Sequence, residues 1–185
     1  MIVGITGRKR HGKDTCAMYL VEKYGFIQIS FAQPLKEMCK VLFNFTDEQL
    51  YGDQKEVIDQ EWQITPRAAF QYIGTELFRS QMKHLIPNID DNFWVKCLES
   101  KINSLIKNNP DIKIVISDVR FPNEIAMIKQ QKGTIIRVNR TILDTIDNHE
   151  SEKLISELSV NYDIQNNNSL DDLYSQLDTI ISNIK

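Results

Sequence analysis

A three-layer α/β fold on a central parallel sheet is what this sequence predicts, and three features of it carry that expectation. The chain opens on an apolar strand segment, a glycine turn and a helix, running from MIVGITG into the stretch between Lys13 and Tyr24. Short β-type runs then alternate with helix-spaced runs to the C-terminus, the pattern of parallel strands joined by helical crossovers. The strongest strand signal, DIKIVIS at 111–117, is almost continuously apolar, as expected of a strand covered on both faces.

Taken in order, residues 1–6 read as a buried strand, and the helix after it repeats apolar side chains at Ala17, Leu20 and Val21. Gly25 stops that helix, and FIQIS (26–30) is a second short strand. A helix from about Pro34 to Phe43 follows, with proline suited to its first turn. From Asn44 to Pro66 the periodicity weakens, and Asp47, Gly52, Asp53 and the charged run KEVIDQE predict helices or loops standing away from the sheet. Thr65 as N-cap and Pro66 as first residue predict a helix through Phe78, and another is expected from Asp91 to Ile106. After the strand at 111–117 come a helix from Pro122 to Gln131 stopped by Gly133, the strand TIIRVNR (134–140) and a polar stretch to Asn148. A helix near 150–157, the strand YDIQN and an amphipathic last helix complete the chain. No internal repeat is present, and 185 residues suit one domain.

Composition excludes several classes. The 22 Lys and Arg residues against 25 Asp and Glu lack the basic excess of a phosphate-backbone binder, so polymeric nucleic acid is not an expected partner. Cys16, Cys39 and Cys97 are widely spaced and form no CxxC pair, which predicts reduced, packed thiols in an intracellular compartment. No export signal opens the sequence, and no apolar run approaches the roughly 18 residues that span a bilayer, so no membrane association is expected.

Directly after the first strand, Gly7-Arg8-Lys9-Arg10-His11-Gly12-Lys13-Asp14-Thr15 fits G-x-x-x-x-G-K followed by Asp-Thr. Glycines let backbone N–H groups wrap phosphate oxygens, a helix N-terminus aims its positive end at the anion, and a lysine reaches the β and γ phosphates. A strand before the motif and an amphipathic helix after it are the context this loop requires. Asp14 stands where a hydroxyl normally meets Mg²⁺, and a carboxylate beside a triphosphate needs a cation between them. Asp14 is therefore read as a metal ligand, direct or through water, or as a group orienting the acceptor. Thr15 supplies a hydroxyl shifted by one. Asp14 as a charge complementing the helix dipole is the alternative.

A second cluster, Ser117 to Glu124, ends the strong strand, and in open parallel sheets ligands sit outside the carboxyl ends of strands. Asp118 is placed to hold Mg²⁺ or its waters, and Arg120 to fork phosphate oxygens. A structural Asp-Arg pair is the competing account. Phosphoryl transfer between two phosphates needs dense positive charge and alignment, which Lys13, Arg8 and Arg120 supply. Acceptor recognition is expected from Arg67, Gln71, Thr75, Arg79, Trp94 and Lys96, with Trp94 either stacking on a base or filling the core. The polar stretch from Arg140 to Glu152 reads as a lid, with Arg137 or Arg140 as charge stabilisers and His149 as a surface or capping residue.

With these residues assembled, the chain resembles the deoxynucleoside monophosphate kinases of tailed phages and large DNA viruses over nearly its whole length. Six blocks carry the resemblance: GRKRHGKDT at the start, SFAQPLKE (30–37), LYGDQKE (50–56), TPRAAFQYIGTELFR (65–79), FWVK (93–96) and ISDVRFPNE (116–124). The tail, HESE followed by YDIQNNNSLDDLY, is similar to that family's ending. The resemblance implies a P-loop NTPase fold of the nucleoside-monophosphate-kinase type, with a helical acceptor-binding insertion at about 44–90 and a lid at about 140–150. It implies transfer from ATP to a deoxynucleoside monophosphate with Mg²⁺, and acceptor contacts on Arg79, Trp94, Asp118, Arg120 and Glu124. Lys36, inside the second block, joins the acceptor group, and His11 and Arg140 join the ATP-binding one. A homodimer is compatible with the sequence, and the expected compartment is the cytoplasm, a host cell's if the source is viral.

Animal-type phosphomevalonate kinases are similar in the same places, with a GKD loop and SDxR block, and dephospho-coenzyme A kinase is a more remote likeness. The GTELFR and FWVK blocks stand closer to the nucleotide enzymes. A non-catalytic nucleotide-binding domain is disfavoured because Lys13, Asp14, Asp118 and Arg120 are all present.

Overall fold

A computed structural model of the chain describes residues 1–141 and 154–184. They form two compact units, one made of Met1–Ser30 with Lys101–Lys185 and the other of Phe31–Ser100. The second unit contains the 44–90 stretch expected as an insertion and extends beyond it on both sides.

In the first unit, strands β1 (Ile2–Thr6), β2 (Ile27–Ile29), β3 (Ile114–Val119), β4 (Thr134–Asn139) and β5 (Tyr162–Gln165) form one sheet in the order β2-β3-β1-β4-β5. Each neighbouring pair is parallel. The first strand is thus central, and its carboxyl end is flanked by strands that arrive later in sequence. Helix α1 (Lys13–Tyr24) packs Cys16, Ala17 and Leu20 against Val3, Ile5, Val115, Ile136 and Val138, and Leu173 and Leu177 of the C-terminal helix join that layer. Burying each such Leu or Ile contributes about 2 kcal/mol before conformational entropy is counted. On the other face, α6 (Pro122–Gln130) sets Ile128 so close to Gly4 that a Cβ there would lie 2.9 Å from its Cδ1. Helices on both faces of an all-parallel sheet explain why β1 and β3 read as continuous apolar runs.

Several element boundaries differ from the sequence reading. β3 begins at Ile114, because residues 109–112 form a turn in which the Ile112 N–H donates to the Asn109 carbonyl at 3.1 Å. It also runs past Ser117 to Val119, since its pairing with β1 continues to Thr6. Gly133 does not carry the left-handed turn after α6: Lys132 does, at φ 57°. Gly133 is needed for space, as a Cβ there would stand 2.5 Å from Ile128 Cγ2. Gly25 does end α1 in the left-handed conformation, donating to the Leu20 and Val21 carbonyls.

The second unit is helical: α2 (Gln33–Phe43), α3 (Asp47–Tyr51), a 3-10 turn at Asp53–Glu56, α4 (Pro66–Gln71) and, beyond it, α5 (Phe93–Asn108), which continues into the first unit's residues. Thr65 caps α4 by accepting from the Ala68 N–H at 3.1 Å, as its position before Pro66 predicts. The α-helix expected through Phe78 instead widens after Gln71 into a π-helix over Tyr72–Gln81. Competition for carbonyls accompanies the change, because Gly74's accepts from the Trp94 indole at 2.8 Å and Thr75's from Ser80 Oγ at 3.1 Å.

The first unit closes with a 3-10 segment (Leu154–Glu157), β5 and the C-terminal helix α7 (Leu170–Asn183), capped by Ser169. The lid expected at about 140–150, apart from Arg140 and Thr141, lies outside the described residues, as do His149 and the start of the helix expected near 150–157. The part of that helix within them is the 3-10 segment. Among the described residues no helix is long and apolar enough to cross a membrane.

Candidate active site

The loop after β1 is shaped by two glycines. Gly7 has φ 145°, and a Cβ on it would run into the Val138 carbonyl of β4. Gly12 has φ 99° and serves as N-cap of α1 without a side-chain cap hydrogen bond. The first-turn N–H groups of that helix and the positive end of the helix dipole make a site for an anion. The Lys13 ammonium folds back on the loop and donates to the Arg8 carbonyl at 2.8 Å.

A cavity of about 380 Å³ opens here, lined by Arg10, Gly12, Lys13, Asp14, Thr15, Arg140, Asn166, Asn168 and Leu170. Three cations face one carboxylate, so the lining is net positive. Arg140 Nε is buried and has no hydrogen-bond partner among the described residues. An unsatisfied buried guanidinium nitrogen in a cationic wall fits phosphate oxygens. Of the loop residues expected to bind ATP, Gly12, Lys13, Asp14, Thr15 and Arg140 line this cavity, Arg8 supplies the carbonyl that holds Lys13, and Gly7 shapes the turn.

His11 is buried and works within the loop. Its Nδ1 lies 3.2 Å from the Arg140 backbone N and 3.3 Å from the Val138 carbonyl O. An unprotonated Nδ1 accepts from Arg140, while a protonated one donates to Val138, and a single nitrogen does only one of these at a time. Either way His11 straps the loop to the end of β4.

At the rim of β3, the register with β1 slips. Gly4 faces Ile116 but Thr6 faces Val119, so β3 advances three residues while β1 advances two. The extra residue falls at Ser117–Asp118, and such bulges re-aim side chains beside functional sites. Asp118 is half-buried there, and Ser117 accepts from the Gln28 amide at 2.9 Å. Glu124 is almost fully buried, and its Oε2 accepts from the backbone N–H groups of Arg120 (2.7 Å) and Phe121 (3.2 Å). The carboxylate thereby closes the first turn of α6 and fixes the backbone that carries Arg120.

The other acceptor candidates, Lys36, Arg67, Gln71, Thr75, Arg79, Trp94 and Lys96, fall in the second unit with different surroundings. Trp94 is 7% exposed, donates its indole N–H to Gly74 and packs against Phe78 and Phe93, so it fills that unit's core. Arg79 is largely buried, with Nη1 3.4 Å from the Asp91 carbonyl. Arg67 pairs with Glu56, Lys96 lies 3.7 Å from Glu99, and Lys36 sits 4.4 Å over the Tyr51 ring. Gln71 is exposed, and Thr75 is half-buried.

Arg137, expected as an alternative to Arg140 for stabilising charge beside the lid, forms a clamp between β4, β5 and the 3-10 segment. It makes a two-pronged pair with Asp163 at 2.6 and 2.9 Å and donates to the Ile155, Ser156 and Leu158 carbonyls. The Arg137 guanidinium holds the Asp163 carboxyl below the usual carboxylate range. Burial, reinforced by the charge of Asp14, pushes the Cys16 thiol up to about 12, so this thiol one turn into α1 stays protonated. Sequence reasoning missed Arg10, Asn166, Asn168 and Leu170. The signal for the two asparagines was the run at 166–168 directly after a strand of a parallel sheet, the end where ligands gather.

A glycine-wrapped helix N-terminus and its lysine, at the carboxyl end of the central strand of this sheet, define a P-loop kinase. The fold matches that of dephospho-CoA kinase from Campylobacter jejuni with a TM-score of 0.53 at 16% identity, over 99% of this chain and 96% of that one. The family model described as deoxynucleotide monophosphate kinase matches residues 1–65 and 46–177, and the chain belongs to that family. A protein of Acanthamoeba polyphaga mimivirus named "Putative deoxynucleotide monophosphate kinase" is 39% identical over 188 aligned positions, covering 99% of this chain and 97% of its own. The deoxynucleoside-5'-monophosphate kinase of Escherichia phage T5 is 36% identical over 118 positions, 64% of this chain but 40% of the phage protein's length.

Proposed function

We propose that this chain transfers the γ-phosphoryl group of ATP to a deoxynucleoside monophosphate, giving ADP and a deoxynucleoside diphosphate. Family membership supplies the reaction class, and one observation carries the donor site: the Lys13 ammonium lines a net positive cavity at an uncapped helix N-terminus. An oxygen of the acceptor phosphate attacks the γ phosphorus, the bond from that phosphorus to the β-γ bridging oxygen breaks, and ADP leaves with the electron pair. No redox change occurs, and little covalent help is needed from the protein.

The roles follow from charge. Backbone N–H groups from Gly7 to Thr15 cradle the β phosphate, and Lys13 spans the β and γ phosphates. Arg8, Arg120 and Arg140 neutralise charge that spreads over the equatorial oxygens in flight. Asp14, Thr15 and Asp118 are the groups to hold Mg²⁺, in part through its waters, and the ion would screen the triphosphate from those carboxylates. Among the described residues no cluster of three metal-ligating side chains occurs, which suits an ion that keeps waters and binds through phosphates. Acceptor recognition falls to Arg79, Gln71 and Lys96, with Trp94 and Glu124 acting through the backbone they hold. Bound as a free nucleotide in the cytoplasm, the substrate requires neither a membrane nor polymeric nucleic acid.

A coupled assay of ADP release tests the reading. Each of the four common deoxynucleoside monophosphates is offered in turn, with phosphomevalonate and no acceptor as comparisons. Acceptor-dependent turnover with at least one of the nucleotides is expected. Turnover with phosphomevalonate alone, or hydrolysis indifferent to acceptor, would reject it.

A further inference from the structure

We propose that Asn166 is a positioning residue of the phosphate loop: its side-chain amide fixes the His11–Gly12 peptide so that the loop turns N–H groups, not a carbonyl, toward the phosphates. The inference rests on the donor-site reading above and adds a residue from the far end of the chain.

Asn166 directly follows the last residue of β5 and is 9% exposed. Its Nδ2 donates to the His11 carbonyl at 2.9 Å, a buried bond between residues 155 apart in sequence. Only the NH₂ end of the amide can donate to a carbonyl, so the partner fixes which way the group faces. The same nitrogen stands where a Cβ on Gly12 would have to go, so the amide is pressed against the Gly12 backbone. Asn166 is itself anchored, since its backbone N–H donates to the Asn139 carbonyl at the end of β4 at 2.7 Å. The Asn139 side chain is tied in turn to Asp163 at 2.9 Å. The strut is therefore set in the sheet, as a group that must hold another in place requires.

The loop needs such a strut because of its glycine. With φ at 99°, Gly12 holds the His11–Gly12 peptide in an orientation that favours glycine, whereas a peptide flip would carry φ to roughly −80°, which any residue adopts, so the backbone by itself does not secure the observed orientation. In the flipped state the carbonyl oxygen turns into the site and opposes phosphate charge, while the Gly12 N–H turns away. Flipping also leaves the buried Asn166 NH₂ without its acceptor, which biases the equilibrium toward the binding orientation by roughly 10- to 100-fold. His11 adds a second strap at the end of β4, but through its ring and not through the peptide that would turn.

Asn166 also lines the cavity, so a direct contact with the adenosine part of ATP is the rival explanation for any loss of binding. Inorganic tripolyphosphate separates the two, because it has phosphates and no base. Asn166→Asp keeps the shape and sets an oxygen against the His11 carbonyl, and Asn166→Ala removes the bond without adding charge. Calorimetric titrations of wild type and both variants with ATP and with tripolyphosphate, each with Mg²⁺, are paired with KM for the acceptor and unliganded unfolding curves. The expected result is an affinity loss of about 10-fold or more, equal for ATP and tripolyphosphate, larger for Asp than for Ala. The acceptor KM should stay within about twofold of wild type. Loss for ATP alone makes Asn166 a base contact and overturns the proposal, as does unchanged binding of both ligands. Collapse of the fold in both variants assigns Asn166 to stability and overturns it too. Failure of the wild-type protein to bind tripolyphosphate is a different outcome, since it removes the donor-site reading first.

Discussion

Thr6 and Val119 face each other across β1 and β3, so Gly7 and Arg120, the residues that follow them, leave adjacent parallel strands at the same end of the sheet. Two charged segments more than a hundred residues apart in sequence thereby start from neighbouring strand ends. Lys13→Ala and Arg120→Ala should each lower kcat/KM by roughly 100- to 1,000-fold, the usual scale for removing one charge from a phosphoryl-transfer site. Steady-state kinetics with ATP and the best deoxynucleotide acceptor is the check, and near-normal turnover in either variant would refute the role given to that residue.

Glu124 separates a positional from an electrostatic role. Its Oε2 receives two backbone N–H groups, and a glutamine oxygen can still receive them. Glu124→Gln should therefore keep most activity, whereas Glu124→Ala should lose about 1–2 kcal/mol of stability together with part of kcat. Equal damage from both substitutions, measured by denaturant unfolding and initial rates, would assign the function to the negative charge.

Trp94→Phe removes the indole N–H that serves Gly74 while keeping an aromatic ring beside Phe78. A stability loss of about 1 kcal/mol is expected, with the acceptor KM little changed. A rise of tenfold or more in acceptor KM at unchanged stability would reveal a stacking role that burial argues against.

Asp163 makes stability depend on pH in a definite direction. Its folded-state pKa is depressed by Arg137 from an ordinary 3.8, so the pair contributes stability above that value and loses it as the carboxyl protonates below. Asp163→Asn should be less stable than wild type at pH 7, and the two unfolding curves should converge as pH falls below about 3.8. A constant gap between them down to pH 2 would exclude this pair as the source.

Gly7 and Gly25 both have positive φ, but only Gly7 is crowded, by the Val138 carbonyl, while a Cβ on Gly25 meets nothing within 4 Å. Gly25→Ala should cost about 1 kcal/mol in backbone strain, and Gly7→Ala clearly more, with loss of ATP binding. Denaturant titration of both variants and a nucleotide-binding assay on Gly7→Ala read this difference.

Local chemistry alone settled a good part of the molecule. The apolar strand, the glycine spacing and Lys13 specify the turn from β1 into α1, because each acts within one turn of chain. Thr65 and Pro66 specify the start of α4, and Gly25 the end of α1, for the same reason. Pairings across the sheet were beyond such reasoning. That Arg137 is spent on Asp163 and that Asn166 reaches the His11 carbonyl depend on β4 and β5 lying beside β1 in one register, and the bulge of β3 at Asp118 depends on its own pairing with β1. A buried hydrogen bond is chosen by whichever groups the packed strands bring within about 3 Å, and residue spacing along the chain does not encode that distance. Trp94 was likewise compatible with core or ligand by type, and only the packing of α5 against the π-helix made it core.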